Sequence, residues 1–200
     1  MVVLPTDTVY GVASDPWDDA AVTRLLAAKG RDEAMPPPVL VPGVESIADL
    51  AHFDSPEEQR RVEDLARRFW PGPLTIVVRA QQQAGRELGW DTARTGGTVA
   101  LRMPDHPLAL QLLREAGPLA VTSANKTGAP PAQSIAEARA ALGDDVASYL
   151  DGGPARLGVA STIVDATGPD LEVLREGTLT AGDLGLPGLS GQAQRGRPAQ

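Results

Sequence analysis

Short apolar runs alternate with stretches of helical periodicity along most of this chain, and that alternation constrains its fold more than any other feature. SPEEQRRVEDLARRFWPG (55–72) reads as a helix: Ser55, Pro56 and Glu58 give a start signal, and Val62, Leu65, Ala66 and Phe69 share one face. LTIVVRA (74–80) follows at once as a run of strand length. The pairing recurs. DDAAVTRLLAAKG (18–30) places Val22, Leu25 and Leu26 on one face, stops at Gly30, and precedes the strand-like PPVLV (37–41). TVALR (98–102) precedes the helical HPLALQLLREAG (106–117). LAVTSAN (119–125) precedes SIAEARAALG (134–143), where Ser134 and Glu137 give another start signal. STIVD (161–165) and LEVLRE (171–176) close the series. With the opening run, the pattern predicts an α/β fold: a mixed sheet of about seven strands flanked by helices. From Gly182 onward the chain offers little to bury, so residues 1–181 are expected to form one domain and 182–200 a disordered tail.

Composition narrows the chemistry. A chain of 200 residues can bury a core without metal or disulfide support. It has no cysteine, which excludes thiolate metal sites and makes a reducing cytoplasm the expected location. Asp and Glu outnumber Lys and Arg by 26 to 18, which argues against tight nonspecific nucleic-acid binding. The apolar runs are too short for a membrane span, and no export signal is visible. Neither a GxxxxGK(S/T) loop nor a GxGxxG after a strand occurs. His52 and His106 are the only histidines, so a Ser-His-Asp or Cys-His nucleophile is not expected. His106 opens a helix in PDHP, where a surface or capping role is expected. The acidic pairs Asp18/Asp19, Glu57/Glu58 and Asp144/Asp145 lie at helix starts or on loops, where the helix dipole and solvent account for them.

What remains are polar clusters at the ends of elements: PTDTVYG (5–11), KGR (29–31), TSAN (122–125), Arg102 in TVALR and Arg175 in VLREG. Taken singly, each has an ordinary structural explanation in a turn, a helix C-terminus, a cap or a surface ion pair. Taken together they point to a ligand site, because strand ends in an open sheet are where ligands bind.

PTDTVYG, the KxR of Lys29-Gly30-Arg31, FWPGPLT (69–75), TVALRMPDHP (98–107), the SxN of Ser123-Ala124-Asn125 and GVAST (158–162) occur in the order found in the YrdC family. The sequence resembles that family from Val2 to Gly182. The resemblance implies a YrdC-like twisted mixed sheet with a concave active-site cleft. It also implies a nucleotidyltransferase that makes L-threonylcarbamoyladenylate from L-threonine, bicarbonate and ATP and releases pyrophosphate. A downstream transferase complex would use that product to make N6-threonylcarbamoyladenosine in tRNA, with tRNA contact by this chain weak or indirect. By the same resemblance Lys29, Arg31, Ser123 and Asn125 are the catalytic set and hold the ATP phosphates, with Thr98 and Arg175 also on the nucleotide. Thr6 and Ser161 would face threonine, and Arg102 would take its carboxylate. Tyr10 is expected to brace the wall, and Lys29, at a helix end, to contribute little packing. Magnesium would arrive with ATP, with no protein ligand assigned.

The sequence departs from the family in two places. Family members usually carry a helix before PTDTVYG, whereas only Met1 to Leu4 precede it here, by a late start or a missing helix, and Pro130-Pro131-Ala132 replaces a PSPTT-like run near the nucleotide. Two rival readings stand beside the enzyme. One is a noncatalytic RNA-binding module of the same fold using Arg60, Arg61, Arg67 and Arg68, more simply a solvated helix face. The other is the carbamoyl-transfer domain of hydrogenase maturation, whose usual acylphosphatase and zinc-finger neighbours do not fit this chain.

Overall fold

The computed structural model describes residues 1–30, 36–81, 87–90 and 92–188. Nine strands pair in one mixed sheet: β1 (Val2–Leu4), β2 (Gly11–Ser14), β3 (Val39–Leu40), β4 (Leu74–Arg79), β5 (Thr98–Arg102), β6 (Leu119–Ser123), β7 (Ser148–Tyr149), β8 (Thr162–Asp165) and β9 (Glu172–Arg175). Their order is β7-β1-β2-β6-β3-β5-β4-β8-β9. Parallel pairing joins β1 to β7, β3 to β5 and β4 to β8, and the other contacts are antiparallel.

The two strands beyond the expected seven are β2 and β7. GVAS opens on a glycine that reads as a turn signal, yet Gly11 is there for close packing: a Cβ would lie 2.5 Å from Val121 Cγ1 on the neighbouring β6. β7 has two residues, Ser148 and Tyr149, and is a strand only because Val2 and Val3 pair with it.

Six helices cover the sheet: α1 (Asp19–Lys29), α2 (Ile47–Leu50), α3 (Pro56–Phe69), α4 (Pro107–Ala116), α5 (Ile135–Leu142) and α6 (Ala181–Leu184). The start signals operate with one change of partner. Ser55 accepts the Glu58 N–H, but the Glu58 carboxylate takes the Asp54 N–H at 3.0 Å, one residue ahead of the cap. Ser134 and Glu137 repeat the arrangement with the Gln133 N–H at 2.8 Å. α1 is capped by Asp18 and closed by Gly30, whose φ of 63° is the left-handed geometry glycine supplies at least cost. α3 buries Val62, Leu65 and Ala66 against Leu74, Ile76 and Val78 of β4 and Val164 of β8. α1 and α5 pack Val22, Leu25, Ala138 and Leu142 against Val3 and Val12 of β1 and β2. Each such fully buried aliphatic side chain contributes about 1.5–3 kcal/mol.

Gly182, where composition suggests that a tail begins, lies inside a helix. Gly182 to Leu184 complete α6, Leu184 is 2% exposed, and Thr180 and Asp183 form a full capping box. Residues 189–200 lie outside the described residues. His106 occupies the N-cap of α4 without a side-chain capping bond. Its ring packs instead on Gly152, where a Cβ would lie 2.7 Å from Cε1.

Candidate active site

β1 and β2 are antiparallel with Leu4 opposite Gly11, so Pro5 to Tyr10 form a six-residue connection. Unlike most loops it is buried, with Thr6, Asp7 and Thr8 only 3%, 1% and 1% exposed. Burial obliges its polar groups to find partners, and all but Asp7 Oδ2 do. Thr6 Oγ1 donates to Val9 O at 2.6 Å and accepts the N–H groups of Thr8 and Val9, each at 3.2 Å. Asp7 O and Thr8 O accept the N–H groups of Leu157 and Gly158, both at 2.9 Å. Tyr10, fully buried, accepts at its carbonyl from Ala124 and donates its backbone N–H to Ala132 O, both at 2.8 Å. Its hydroxyl donates to Gly153 O at 2.6 Å and accepts the Gly152 N–H at 3.2 Å, which is the bracing role expected of it. The Pro130-Pro131-Ala132 departure thus contributes a backbone acceptor to this wall.

Arg102 ends β5 and is 7% exposed. Its Nε donates to Gly72 O at 3.0 Å, Nη1 to Thr8 Oγ1 at 2.8 Å and Nη2 to Asp7 Oδ1 at 2.6 Å. A guanidinium has five N–H groups, so one on each terminal nitrogen is left for a ligand. Burial pulls the Arg102 pKa down, the Asp7 carboxylate opposes that pull, and the nearby charge of Arg175 adds to it. Ser161 joins the group: its Oγ lies 2.8 Å from Thr75 Oγ1, and its carbonyl accepts from Arg175 Nη2 at 2.8 Å.

A second cluster forms where α1 ends. Lys29 Nζ donates to Ser123 O at 2.5 Å and Asn125 O at 2.8 Å, and lies 3.1 Å from Asn125 Oδ1 and 3.3 Å from Ser123 Oγ. Asn125 Nδ2 closes the turn through Ala129 O at 2.6 Å. Lys29 is 3% exposed, so the expectation that it adds little packing does not hold: it ties the β6 turn to α1. Sequence reasoning passed over Lys126, which donates to Ala28 O at 2.6 Å and sets a second ammonium beside the turn. Its position directly after SAN was the available signal.

The two clusters meet through the loop. By register Arg102 lies beside Leu40, which faces Leu119 at one end of β6, whereas Ser123 lies at the other end beside Gly11. Asp7 and Thr8 reach the arginine while Tyr10 pairs with Ala124, so the buried loop is their common wall. Thr6, Lys29, Arg102, Ser123 and Asn125 are brought to this wall or bonded to residues that are, while Ser161 and Arg175 are bonded to each other and Arg175 is close enough to Arg102 for their charges to interact. Thr98 is not. It starts β5 at about 13 Å from Arg102 along the strand, given ~3.3 Å per residue, and its hydroxyl donates to Thr95 O at 2.8 Å. Arg31 lies outside the described residues.

The arginines of α3 are occupied. Arg60 pairs with Glu57 at 3.0 Å and Arg67 with Glu63 at 2.8 Å, Arg61 donates to the carbonyls of Gly168 and Pro169, and Arg68 lies over the Phe69 ring. Among the described residues no helix is long and apolar enough to cross a membrane, and no three acidic, His or Cys side chains gather as a metal site.

Both the sequence and the fold have counterparts among known proteins. The family model described as "Telomere recombination", which spans the Sua5, YciO and YrdC proteins, matches residues 1–177. The chain belongs to the Sua5–YciO–YrdC family. It is 48% identical over 180 residues to a Mycobacterium tuberculosis protein named "Putative threonylcarbamoyl-AMP synthase", covering 90% of this chain and 79% of that one. It is 37% identical to the threonylcarbamoyl-AMP synthase of Bacillus subtilis, covering 90% of this chain and 50% of the other. Among solved structures, Pyrococcus abyssi Sua5 complexed with L-threonine superposes with a TM-score of 0.81 at 35% identity, over 92% of this chain and 52% of that one. The chain therefore spans about half the length of the two longer relatives.

Proposed function

We propose that this protein is an L-threonylcarbamoyladenylate synthase, a cytoplasmic nucleotidyltransferase that joins L-threonine, bicarbonate and ATP and releases pyrophosphate. Its product would serve a downstream transferase complex that makes N6-threonylcarbamoyladenosine in tRNA. The observation that carries this reading is Arg102: a guanidinium buried at the end of β5, held by three acceptors, with one N–H free on each terminal nitrogen. Two parallel donors in fixed geometry suit a carboxylate. The threonine complex of the Pyrococcus abyssi relative and the synthase names of the curated relatives support the same substrate class.

The chemistry needs charge and placement rather than a covalent nucleophile. Bicarbonate takes up a proton and loses water to give carbon dioxide, and threonine's amine, deprotonated, adds to it and releases a proton to form a carbamate. A carbamate oxygen then attacks the α-phosphorus of ATP and pyrophosphate leaves. Both partners are anionic, so fixed donors that hold them in line lower the barrier. Arg102 orients the threonine end, with Thr6 and Ser161 on the same wall. Lys29, Ser123 and Asn125 serve the phosphates, together with Arg31 and Arg175. In this state the Lys29 ammonium sits on the Ser123 and Asn125 carbonyls, with which phosphate oxygens would compete. Thr98 reaches the nucleotide only if the base extends toward the start of β5. Magnesium would arrive as a companion of the ATP phosphates, neutralising part of their charge.

The RNA-binding alternative has less support: Arg60 and Arg67 pair with glutamates, Arg61 is taken by backbone carbonyls, and the chain carries a net charge of −8. The test is incubation with ATP, L-threonine and labelled bicarbonate, followed by detection of pyrophosphate and of the labelled adenylate by mass spectrometry. Pyrophosphate without label in an adenylate would sink the proposal.

A further inference from the structure

Asp7 is a buried carboxylate in the wall of the threonine pocket, and the reaction as proposed gives it no direct role. It is 1% exposed, and its Oδ2 is buried without a hydrogen-bond partner. Its Oδ1 accepts both Arg102 Nη2 at 2.6 Å and the Asp105 N–H at 3.0 Å. Its carbonyl holds Leu157. One residue therefore joins the loop after β1, the turn after β5 and the segment that leads to Ser161.

A buried ion pair is by itself a weak source of stability, because desolvating two charges costs about as much as their attraction returns. What the pair does fix is direction and charge. Among the described residues two ion pairs stand near the pocket, Arg102–Asp7 at 2.6 Å and Arg156–Asp105 at 2.5 Å, and each cancels its own charge. The balance is one positive charge, carried by Arg175 where the threonine end meets the nucleotide. The same cleft must also accommodate a triphosphate and release pyrophosphate, both multiply charged.

Building on the function proposed above, we infer that Asp7 is the positioning and charge-setting residue of the threonine pocket. It aims the Arg102 fork and cancels one positive charge, so that the pocket takes a single carboxylate and turns away polyanions. Arg175 acting on Arg102 as a like charge fits this balance.

The test compares the full chain with Asp7→Asn and Thr8→Val, each first checked for a cooperative thermal transition. Threonine is titrated calorimetrically with and without inorganic pyrophosphate. In the unaltered protein pyrophosphate is expected to leave threonine binding in place, and competition there overturns the inference. Asp7→Asn, which keeps the shape but removes the charge, is expected to weaken threonine binding about tenfold or more and to make pyrophosphate compete with it. Thr8→Val removes an Arg102 acceptor without changing charge, so it should weaken threonine while gaining no competition. A folded Asp7→Asn protein with unchanged threonine affinity and no pyrophosphate competition overturns the inference. If Asp7→Asn does not fold, Asp7→Glu decides. That variant keeps the charge and displaces the carboxylate, and normal threonine affinity in it overturns the positioning role. Arg102→Lys is the separate control: unchanged threonine binding there removes the underlying assignment of the pocket, whatever Asp7 does.

Discussion

Arg102 donates to acceptors from two different stretches, Gly72 ahead of β4 and the Asp7–Thr8 pair, and a lysine cannot serve them all. An ammonium on a flexible stem lacks the planar fork, so Arg102→Lys should forfeit at least one charge-assisted bond to the threonine carboxylate. That loss is worth roughly 1.5–3 kcal/mol, or about ten- to a hundredfold in affinity. Calorimetric titration of threonine and of ATP checks it: threonine affinity should fall and ATP affinity change far less. The opposite split would assign Arg102 to the nucleotide. Lys29 calls for a different expectation, because it is buried and bonded to two carbonyls of the β6 turn. Lys29→Ala should depress ATP use strongly. It should also lower the melting temperature, since each buried acceptor left bare costs about 1–3 kcal/mol. An unchanged melting temperature would mean that the turn holds without the ammonium.

Elements whose instructions are local were legible in the sequence, and elements defined by distant partners were not. α1, α3 and α5 carry a capping side chain, a 3.6-residue apolar stripe and a stop within their own stretch, and all three formed where that grammar placed them. Ser55→Ala should therefore cost about 1 kcal/mol, a drop of ~2–4 °C in melting temperature for a domain of this size, with pyrophosphate release intact. Lost activity at full stability would show α3 to be coupled to the site. β7 gave no such signal, because its two residues are a strand only through Val2 and Val3. The site divides in the same way. Lys29, Arg102, Ser123 and Asn125 stand out as polar groups at element ends. Asp7 lay in plain view inside PTDTVYG and passed for a turn residue, because its partner is 95 positions away. Nor could spacing along β5 tell that Thr98 and Arg102 face different surroundings at opposite ends of the strand.

At the scale of the whole molecule, one curved sheet carries two cation clusters that the buried loop joins, and the chain around them is acidic, with a net charge of −8. Such a surface does not attract a polyanion broadly, so ATP must be recognised where the cations are concentrated, and each substrate end has its own cluster. This division makes turnover depend on all three substrates. ATP alone fills the Lys29 cluster but meets no nucleophile, because the described wall offers no activated serine, cysteine or histidine. Threonine without bicarbonate leaves an amine where the carbamate oxygen should stand, and bicarbonate without threonine leaves Arg102 with nothing to orient. Pyrophosphate release should therefore be rapid only with threonine and bicarbonate together, and fall to the level of background ATP hydrolysis when either is withheld. Coupled detection of pyrophosphate in carbon-dioxide-depleted buffer, with and without added bicarbonate and threonine, measures this directly. Equal release in the absence of threonine would mean that water or another acceptor attacks the nucleotide, and the pocket around Arg102 would then need a different occupant.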